Sequence, residues 1–419
     1  MKKRLCMILT LTLAATVLLS GCLFIRKPSR LDREPTSGDV ITFKSAVLEE
    51  EIRSVLDIPS GDIYESDVSD LRELNLAELP ISDISPLSYF VGLQALNLSG
   101  TGISDISALS GLTNLDTLYL DNNQISDLSP LANLTGLKSL FMMDNRISDI
   151  SALSSLTELQ NLAILKNDIS DISTLSDLIS LKVLYASGNS ITDIRSLSKL
   201  TQLTNLDLSE NAVSDISPLS NLANLVWLDM TTNNITDISA LSELTNLEYL
   251  ALYENQITDV SALASLLNLT YLVIARNDIS DISALSNLTK IEILYINENQ
   301  ITDISALAGL TNLKELFFYV NQVSDITVLS NLTRMTRLDA EENKISDISS
   351  LSNLTKLESL TLYDNQIADI SPLSKLDKLT FLSLENNPLN SSDTPDCVHE
   401  SDLDFTVDGT KYEVWVVEE

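Results

Sequence analysis

Aspartate recurs every 22 residues through most of this chain, and that spacing limits the possible folds more than any other feature. The series runs from Asp83 to Asp369 and has 14 members, with no insertion or deletion between them. A second series at the same period holds 13 consecutive asparagines from Asn123 to Asn387, preceded by Leu79 and Thr101. A fixed period of this length indicates one elongated body of stacked repeats.

Each repeat contains a short strand whose residues alternate between core and solvent. The unit that starts at residue 115 reads L-x-x-L-x-L-x-x-N-x-I-x-D, which is the leucine-rich-repeat pattern. Leu118 and Leu120 are two residues apart, so both point into the core while residues 117, 119 and 121 point outward. A unit of this size cannot bury its apolar side alone and must be covered by its neighbours.

The pattern therefore predicts an α/β-type solenoid, a leucine-rich-repeat horseshoe with a concave parallel sheet. Strand centres from Leu74 to Leu382 at a period of 22 give 15 short strands. At about 4.8 Å per strand, the concave arc would be about 67 Å long. Each ladder asparagine would pair with backbone groups of adjacent turns, and losing one would cost about 1–3 kcal/mol.

The segment after each ladder aspartate predicts the convex side. It has the form Ile-Ser-x-Leu, with proline at Pro86, Pro130, Pro218 and Pro372. Serine followed by proline starts a helical turn, with the serine hydroxyl as the expected cap, and 22 residues leave room only for short 3-10 turns. The aspartates would lie about 5 Å apart, so they must accept hydrogen bonds or hold cations such as Ca²⁺. Capping of the turns is the favoured use.

Both ends of the repeats, predicted over residues 71–388, need caps because a terminal unit would expose core and an unpaired strand edge. Over residues 40–70, Phe43, Leu48, Ile52 and Leu56 fall at near-helical spacing before Gly61, which predicts an amphipathic helix. Over residues 389–419, the segment 410–417 alternates like an edge strand after the turn Asp408-Gly409, which predicts a closing hairpin.

Residues 1–21 have the form of a secretory signal peptide. Three cations precede an apolar run over residues 5–19, which ends in L-S-G-C at Cys22. An uncleaved membrane helix is disfavoured because a bilayer requires about 20 apolar residues. The ending resembles a bacterial lipobox, and that resemblance implies that Cys22 carries a lipid. The basic, proline-containing stretch over residues 22–39 then predicts a flexible tether against the membrane.

Charge and residue types exclude several functions. A formal net charge of −33 excludes nucleic acid as a partner. The three cysteines, Cys6, Cys22 and Cys397, support neither a disulfide framework nor a cysteine zinc site. Cys397 and the single histidine, His399, could act as nucleophile and base, but no third orienting group accompanies them. We therefore predict no enzyme activity, no cofactor and no metal.

The outward strand positions hold an unusual number of aromatic residues. Between residues 71 and 388 there are 15 aromatics, and 12 occupy the three outward positions, where chance would place about 3 or 4. Aromatics with a polar group anchor protein interfaces, although rings also stabilise sheets by contacting their neighbours. The 12 candidate ligand-binding residues are Tyr119, Phe141, Tyr185, Trp227, Tyr249, Tyr253, Tyr271, Tyr295, Phe317, Tyr319, Tyr363 and Phe381.

Three of these rings, Trp227, Tyr249 and Tyr271, occupy the same site in successive repeats and are expected to stack, and Tyr253, Tyr295, Phe317 and Tyr319 continue the patch. Interspersed acids would give the patch a negative rim and favour a basic or amphipathic protein partner, with carbohydrate as the second candidate. The acids are Asp207, Asp229, Glu315, Asp339 and Glu341.

Tandem units of the form N-x-I-x-D-I-x-x-L behind a helical cap resemble the internalin-type leucine-rich repeats of bacterial surface proteins. The resemblance covers about residues 40–390 and implies protein binding through the concave face. The chain departs from that group in having no C-terminal Leu-Pro-x-Thr-Gly signal and no room for a following Ig-like domain. Host-cell entry is therefore not part of the expectation.

The expected function is that of a monomeric, extracytoplasmic protein-binding module, anchored to the cell membrane through lipid on Cys22 and exposed at the cell surface. A structural spacer of the envelope and a carbohydrate-binding protein remain alternatives. Whether the ligand belongs to a host or to the cell's own envelope, and which membrane carries the anchor, stay open.

Overall fold

A computed structural model of the protein describes residues 37–389, 403–407 and 410–414. The predicted signal peptide, Cys22, Cys397 and His399 lie outside these residues. Within them, no helix is both long and apolar enough to cross a membrane.

The repeats form one parallel sheet of 15 strands in sequence order, as predicted. Adjacent strands pair without a shift, so Leu228 lies opposite Leu250 and each outward residue lies beside its counterpart 22 residues later. The strands are β1 Glu73–Asn75, β2 Ala95–Asn97, β3 Thr117–Tyr119, β4 Ser139–Phe141, β5 Asn161–Ala163, β6 Val183–Tyr185, β7 Asn205–Asp207, β8 Trp227–Asp229, β9 Tyr249–Ala251, β10 Tyr271–Val273, β11 Ile293–Tyr295, β12 Glu315–Phe317, β13 Arg337–Asp339, β14 Ser359–Thr361 and β15 Phe381–Ser383.

The opposite side of the solenoid consists of short 3-10 segments, one between each pair of strands, which confirms the predicted convex turns. They begin at the serine after each ladder aspartate, or at Arg195 or Thr327 in its place. Their bounds are Ser85–Tyr89, Ser107–Leu109, Ser129–Leu131, Ser151–Ser155, Ser173–Asp177, Arg195–Lys199, Ser217–Leu219, Ser239–Glu243, Ser261–Ser265, Ser283–Asn287, Ser305–Gly309, Thr327–Asn331, Ser349–Asn353 and Ser371–Lys375.

The aspartate, not the serine, caps each of these turns, so the expected role of the serine hydroxyl was wrong. In the β8 repeat, the Asp237 side chain accepts a hydrogen bond from the backbone N–H of Ser239 at 2.8 Å. All 14 ladder aspartates accept the equivalent bond from the residue two positions later. The serine supplies its backbone amide because it is already the first residue of the turn.

One continuous core of leucine and isoleucine fills the space between the sheet and the 3-10 segments. Two larger rings, Phe90 and Phe318, are fully buried in it. Where the chain leaves each strand it turns through a left-handed residue just before the ladder asparagine, for example Thr232 at φ 52° and Val320 at φ 51°. Gly188 occupies the same position one repeat after Lys166.

A helix covers the N-terminal end of the core. Helix α1, Ala46–Leu56, buries Leu48, Ile52 and Leu56, and the Ser45 hydroxyl caps it by accepting the Leu48 N–H. A second, short helix, α2 at Glu65–Val68, was not predicted from the sequence. At the other end, strands β16 (Leu403–Val407) and β17 (Thr410–Val414) form an antiparallel hairpin with β17 close to β15. The exact domain boundaries stay predictions.

Candidate functional site

All 12 candidate rings lie on the concave face, because each occupies an outward position of the sheet. Their residues are half-buried, except Phe317, which is only 3% exposed. The three remaining aromatics of the repeats lie elsewhere: Phe90 and Phe318 fill the core, and Tyr89 ends the first 3-10 segment. The period of two within each strand therefore separates surface rings from core rings.

Five of these rings form a continuous aromatic stack across β8 to β12: Trp227, Tyr249, Tyr271, Tyr295 and Phe317. Ring centroids are 4.9 Å apart between the first pair, 4.8 Å between the second and 4.1 Å between the last, and the planes in each pair are within 19° of parallel. Between Tyr271 and Tyr295 the distance is 6.0 Å and the planes tilt by 38°. The expected stacking of Trp227, Tyr249 and Tyr271 is confirmed.

Cationic and edge-on contacts mark the two ends of the aromatic stack. At the C-terminal end, the guanidinium of Arg337 lies 4.9 Å from the centroid of Phe317, a cation–π contact. At the N-terminal end, Tyr185 meets Trp227 edge-on, with centroids 6.0 Å apart and planes at 87°. The stack thus begins with a corner between perpendicular rings and ends under a positive charge.

The other candidate rings are not in this stack. Tyr119 and Phe141 form a separate parallel pair at 4.7 Å. The hydroxyl of Tyr363 donates a hydrogen bond to Glu342 at 3.0 Å. Phe381 lies at the last strand of the sheet, β15.

A cluster of small side chains underlies the centre of the stack. Ala251, Val273 and Ala275 occupy outward positions yet are at most 5% exposed, because tyrosine rings pack over them. The tyrosines are Tyr249, Tyr253, Tyr271 and Tyr295. The sequence analysis missed this cluster; adjacent repeats with alanine or valine at outward positions were the available signal.

Beside this cluster, Asn297 is buried to 1% exposure on the concave face. Its side-chain oxygen has no hydrogen-bond partner among the described residues. A buried acceptor without a donor costs about 1–3 kcal/mol. The centre of the concave face therefore contains an acceptor that the chain itself leaves unused.

Two acids expected at the rim of the patch lie instead in the middle of the sheet. Asp207 and Asp229 occupy paired positions on β7 and β8. Asp207 accepts hydrogen bonds from the backbone N–H and hydroxyl of Ser209 at 2.9 and 2.7 Å, and Asp229 accepts one from the N–H of Thr231 at 2.9 Å. Burial raises the pKa of both carboxyls, and that of Asp229, which also faces Asp207, to about 7.

A second acidic group lies beyond the C-terminal end of the stack. Burial raises the pKa of Asp339 to about 6, although Arg337 opposes the shift. Burial also raises the pKa of Glu341 to about 7, with Asp339 and Glu342 adding to the shift. Both ends of the aromatic stack are therefore bordered by carboxylates that are held in an unfavourable environment.

The ladder aspartates of the convex side have the opposite electrostatics. The backbone N–H of Ser261 holds the pKa of Asp259 below its usual value, and Ser283 does the same for Asp281. Within the part of the chain that the structure describes, no group of three or more acids, histidines or cysteines could hold a metal ion. The ladder is thus explained by capping of the turns.

Comparisons with known proteins agree with this architecture. The family profile described as Leucine Rich repeats (2 copies) matches more than half of the chain, at residues 91–133, 179–221, 223–265, 267–309, 311–353 and 355–396. No curated protein matches the sequence.

Solved structures show similarity over most of the chain. An internalin from Listeria monocytogenes is 35% identical, with 83% of this chain and 91% of that chain covered and a TM-score of 0.61. A leucine-rich repeat protein from Leptospira interrogans is 24% identical over 78% of this chain and 93% of its own, at a TM-score of 0.70. The functional domain of InlJ from Listeria monocytogenes is 22% identical over 83% and 81%, also at 0.70.

Proposed function

Because the chain belongs to the leucine-rich repeat family, we propose that it is an extracytoplasmic recognition protein, held to the membrane by lipid on Cys22, whose aromatic stack binds another protein. Leucine-rich repeat solenoids typically provide extended concave surfaces for protein recognition. Catalysis is no part of the proposal.

The observation that carries this proposal is the continuity of the aromatic stack. Five rings in contact across five strands, from Trp227 to Phe317, form one apolar surface in the concavity of an otherwise acidic protein. Contiguous exposed patches of this kind usually mark contact sites. Tryptophan and tyrosine also contribute most strongly to binding energy in protein interfaces.

The charge around the stack favours a basic partner. Eight of the outward positions of the sheet hold an acid, namely Glu73, Asp121, Asp207, Asp229, Glu315, Asp339, Glu341 and Glu385, and only one, Arg337, holds a base. Opposite charge on the partner would speed the encounter and exclude acidic competitors.

The orientation of the rings argues against carbohydrate as the ligand. Sugars bind aromatic side chains by stacking on the ring face. In the aromatic stack the faces of Trp227, Tyr249 and Tyr271 are already in contact with one another. The ring edges, together with the tyrosine hydroxyls, are left for a partner, which suits the mixed apolar and polar surface of a protein.

The experiment is a capture assay from host-cell and envelope extracts with residues 40–419. The parent is compared with a Trp227→Ala, Tyr249→Ala, Tyr271→Ala variant. The matched control is Tyr119→Ala, Phe141→Ala, which removes a stacked pair from the same sheet outside the aromatic stack. Circular dichroism and melting curves establish that each variant is folded. We expect a partner that the parent and the control capture and the stack variant loses.

Either of two outcomes would reject the proposal. If the folded stack variant captures the same proteins as the parent, the rings stabilise the sheet and do not bind. If no protein is captured from any extract, a structural spacer becomes the better account of the chain. The lipid anchor is tested separately: we expect the full chain in the membrane fraction and its Cys22→Ala variant outside it.

A further inference from the structure

The line of rings on the concave face has one gap, at β7. Each of the strands β6 and β8 to β12 contributes a ring, whereas the outward positions of β7 and the loop after it hold Asn205, Asp207 and Ser209. Tyr185 on β6 and Trp227 on β8 lean toward each other across this gap and meet at 87°. The gap therefore has aromatic walls.

Two carboxylates line the gap. Asp207 is on β7 itself, and Asp229 is its registered neighbour on β8, so their Cα atoms are about 4.8 Å apart. Both residues retain some solvent exposure. Each side chain is held in place by a backbone N–H, from Ser209 and Thr231 respectively. The carboxylates are thus oriented and accessible.

Among the described residues, neither carboxylate forms an ion pair. Elsewhere the chain supplies cations to its acids across neighbouring repeats: Lys314 pairs with Glu292 at 2.7 Å, and Arg276 lies 3.4 Å from Glu254. At β7 the nearest additional charge is a third acid, Glu210, which acts on both Asp207 and Asp229. The gap therefore concentrates negative charge against aromatic walls without a compensating cation.

From this geometry we propose that the gap between Tyr185 and Trp227 is a binding site for an arginine or lysine side chain of the protein partner. The proposal rests on the proposed function and specifies its chemistry. A guanidinium can donate to both carboxylates while its plane lies against an aromatic ring, a combination of charge-assisted hydrogen bonds and cation–π attraction.

The energetic position of the carboxylates supports this assignment. Burial raises the pKa of Asp207 and of Asp229, so the folded chain holds these charges at a cost. A cation between them would offset the repulsion that each carboxylate exerts on the other. A hydrated inorganic ion could neutralise the charge but would gain little from the ring walls, whereas a guanidinium uses both features.

The test uses N-acetyl-arginine amide as the probe and Trp227 fluorescence as the measurement. Trp227 and Trp415 are the two tryptophans of the chain, so the assay is run on the full chain carrying Trp415→Phe. N-acetyl-citrulline amide is the matched control probe, because it has nearly the same shape without the charge. For a ligand of this size we expect a dissociation constant on the order of 1 mM.

Variants locate the site. We expect Asp207→Asn combined with Asp229→Asn to weaken arginine binding at least about tenfold, since each interaction lost with a charged group is substantial. The control is Asp339→Asn, at the equivalent strand position but beside Arg337, which should leave binding unchanged. The double variant should remain folded because it removes two unfavourably buried charges, and its melting curve is measured alongside.

The inference is overturned if the citrulline probe changes the fluorescence as much as the arginine probe, or if the double asparagine variant binds arginine like the parent. It is also overturned if calcium chloride displaces the arginine probe at equimolar concentration, because the carboxylates would then form a divalent-ion site. Capture of a protein through the aromatic stack without arginine binding would retain the proposed function and reject only this site. Arginine binding without any captured protein would do the reverse.

Discussion

The side-chain oxygen of Asn233 accepts a hydrogen bond at 2.9 Å from the backbone N–H of Val213, which lies in the preceding repeat. The side-chain nitrogen of Asn233 donates to the carbonyl oxygens of Leu208 at 2.9 Å and Met230 at 3.1 Å. One buried amide therefore bonds to the backbone of two successive repeats. Because the ladder asparagines repeat this arrangement, they fix the register of the solenoid as well as its core does.

We expect Asn233→Ala to destabilise the protein by about 2 kcal/mol, because it leaves a buried N–H and carbonyl oxygens without partners. Urea unfolding followed by circular dichroism measures the change. The control is Asn224→Ala in the same repeat, where an exposed side chain makes one bond to the Thr201 carbonyl oxygen and the cost should be within about 0.5 kcal/mol. Equal losses for the two variants would show that the ladder bonds add nothing specific.

The raised pKa of Asp229 predicts that stability falls as pH increases. The folded chain holds this proton up to about pH 7, whereas the unfolded chain releases it near its usual value, so unfolding releases a proton between these limits. The full effect at high pH is at most about 4 kcal/mol. We expect Asp229→Asn to raise the melting temperature at pH 8 and to leave it almost unchanged at pH 4.

The comparison with the asparagine variant is needed because the net charge of −33 also produces repulsion that grows with pH. That background is nearly the same in both proteins, so their difference reports Asp229 and its neighbour Asp207. The lowered pKa values of ladder aspartates such as Asp259 act at more acidic pH. A melting-temperature difference between parent and variant that is the same at both pH values would contradict the assigned cause.

The turn-capping role of the ladder aspartates predicts that the protein does not depend on calcium for stability. We expect the melting temperature to agree within about 1 °C in millimolar calcium and in chelator, since no ion binds preferentially to the folded state. Asp237→Asn should retain most of the stability because asparagine can accept the same bond from Ser239, whereas Asp237→Ala should lose it. A clear rise in melting temperature with calcium would favour the cation interpretation instead.

The period of 22 was sufficient to predict the strand number, the direction of pairing and the face of each ring. It places Trp227 beside Tyr249 because identical repeats stack in register. It could not predict the corner between Tyr185 and Trp227, since that contact spans two strands and depends on side-chain rotamers. The burial of Asp207 was also beyond it, because the rings that desolvate this carboxylate come from other repeats.

Local chemistry was harder to predict than the repeat. In the convex turns, serine and aspartate are both good caps, and only the observed start of the turn at Ser239 shows that Asp237 holds the capping position. Helix α2 has four residues, too few for a period of 3.6 to become visible in the sequence. The small-residue cluster at Ala251 depends on tyrosines of adjacent repeats packing over it.

Val320 is a β-branched residue in the left-handed region, at φ 51°, and its side chain is 37% exposed. This conformation costs an L residue about 1–2 kcal/mol, and partial exposure returns little through burial. We expect Val320→Gly to stabilise the protein by about 1 kcal/mol, because glycine adopts the conformation without strain. Val320→Asn should stabilise it less, since asparagine tolerates this region and occupies the same position at Asn122 and Asn386.

The converse substitution is available in the same chain, because Gly188 occupies this position at φ 64°. A Cβ atom there would lie 3.3 Å from Cγ of Lys166, a flexible side chain that can move, so backbone strain would dominate the cost. We expect Gly188→Val to destabilise the protein by about 1–2 kcal/mol. Urea unfolding of the two reciprocal variants gives opposite signs if the left-handed conformation is responsible. Destabilisation in both would instead mean that Val320 contributes through its contacts, and that its strain is offset by them.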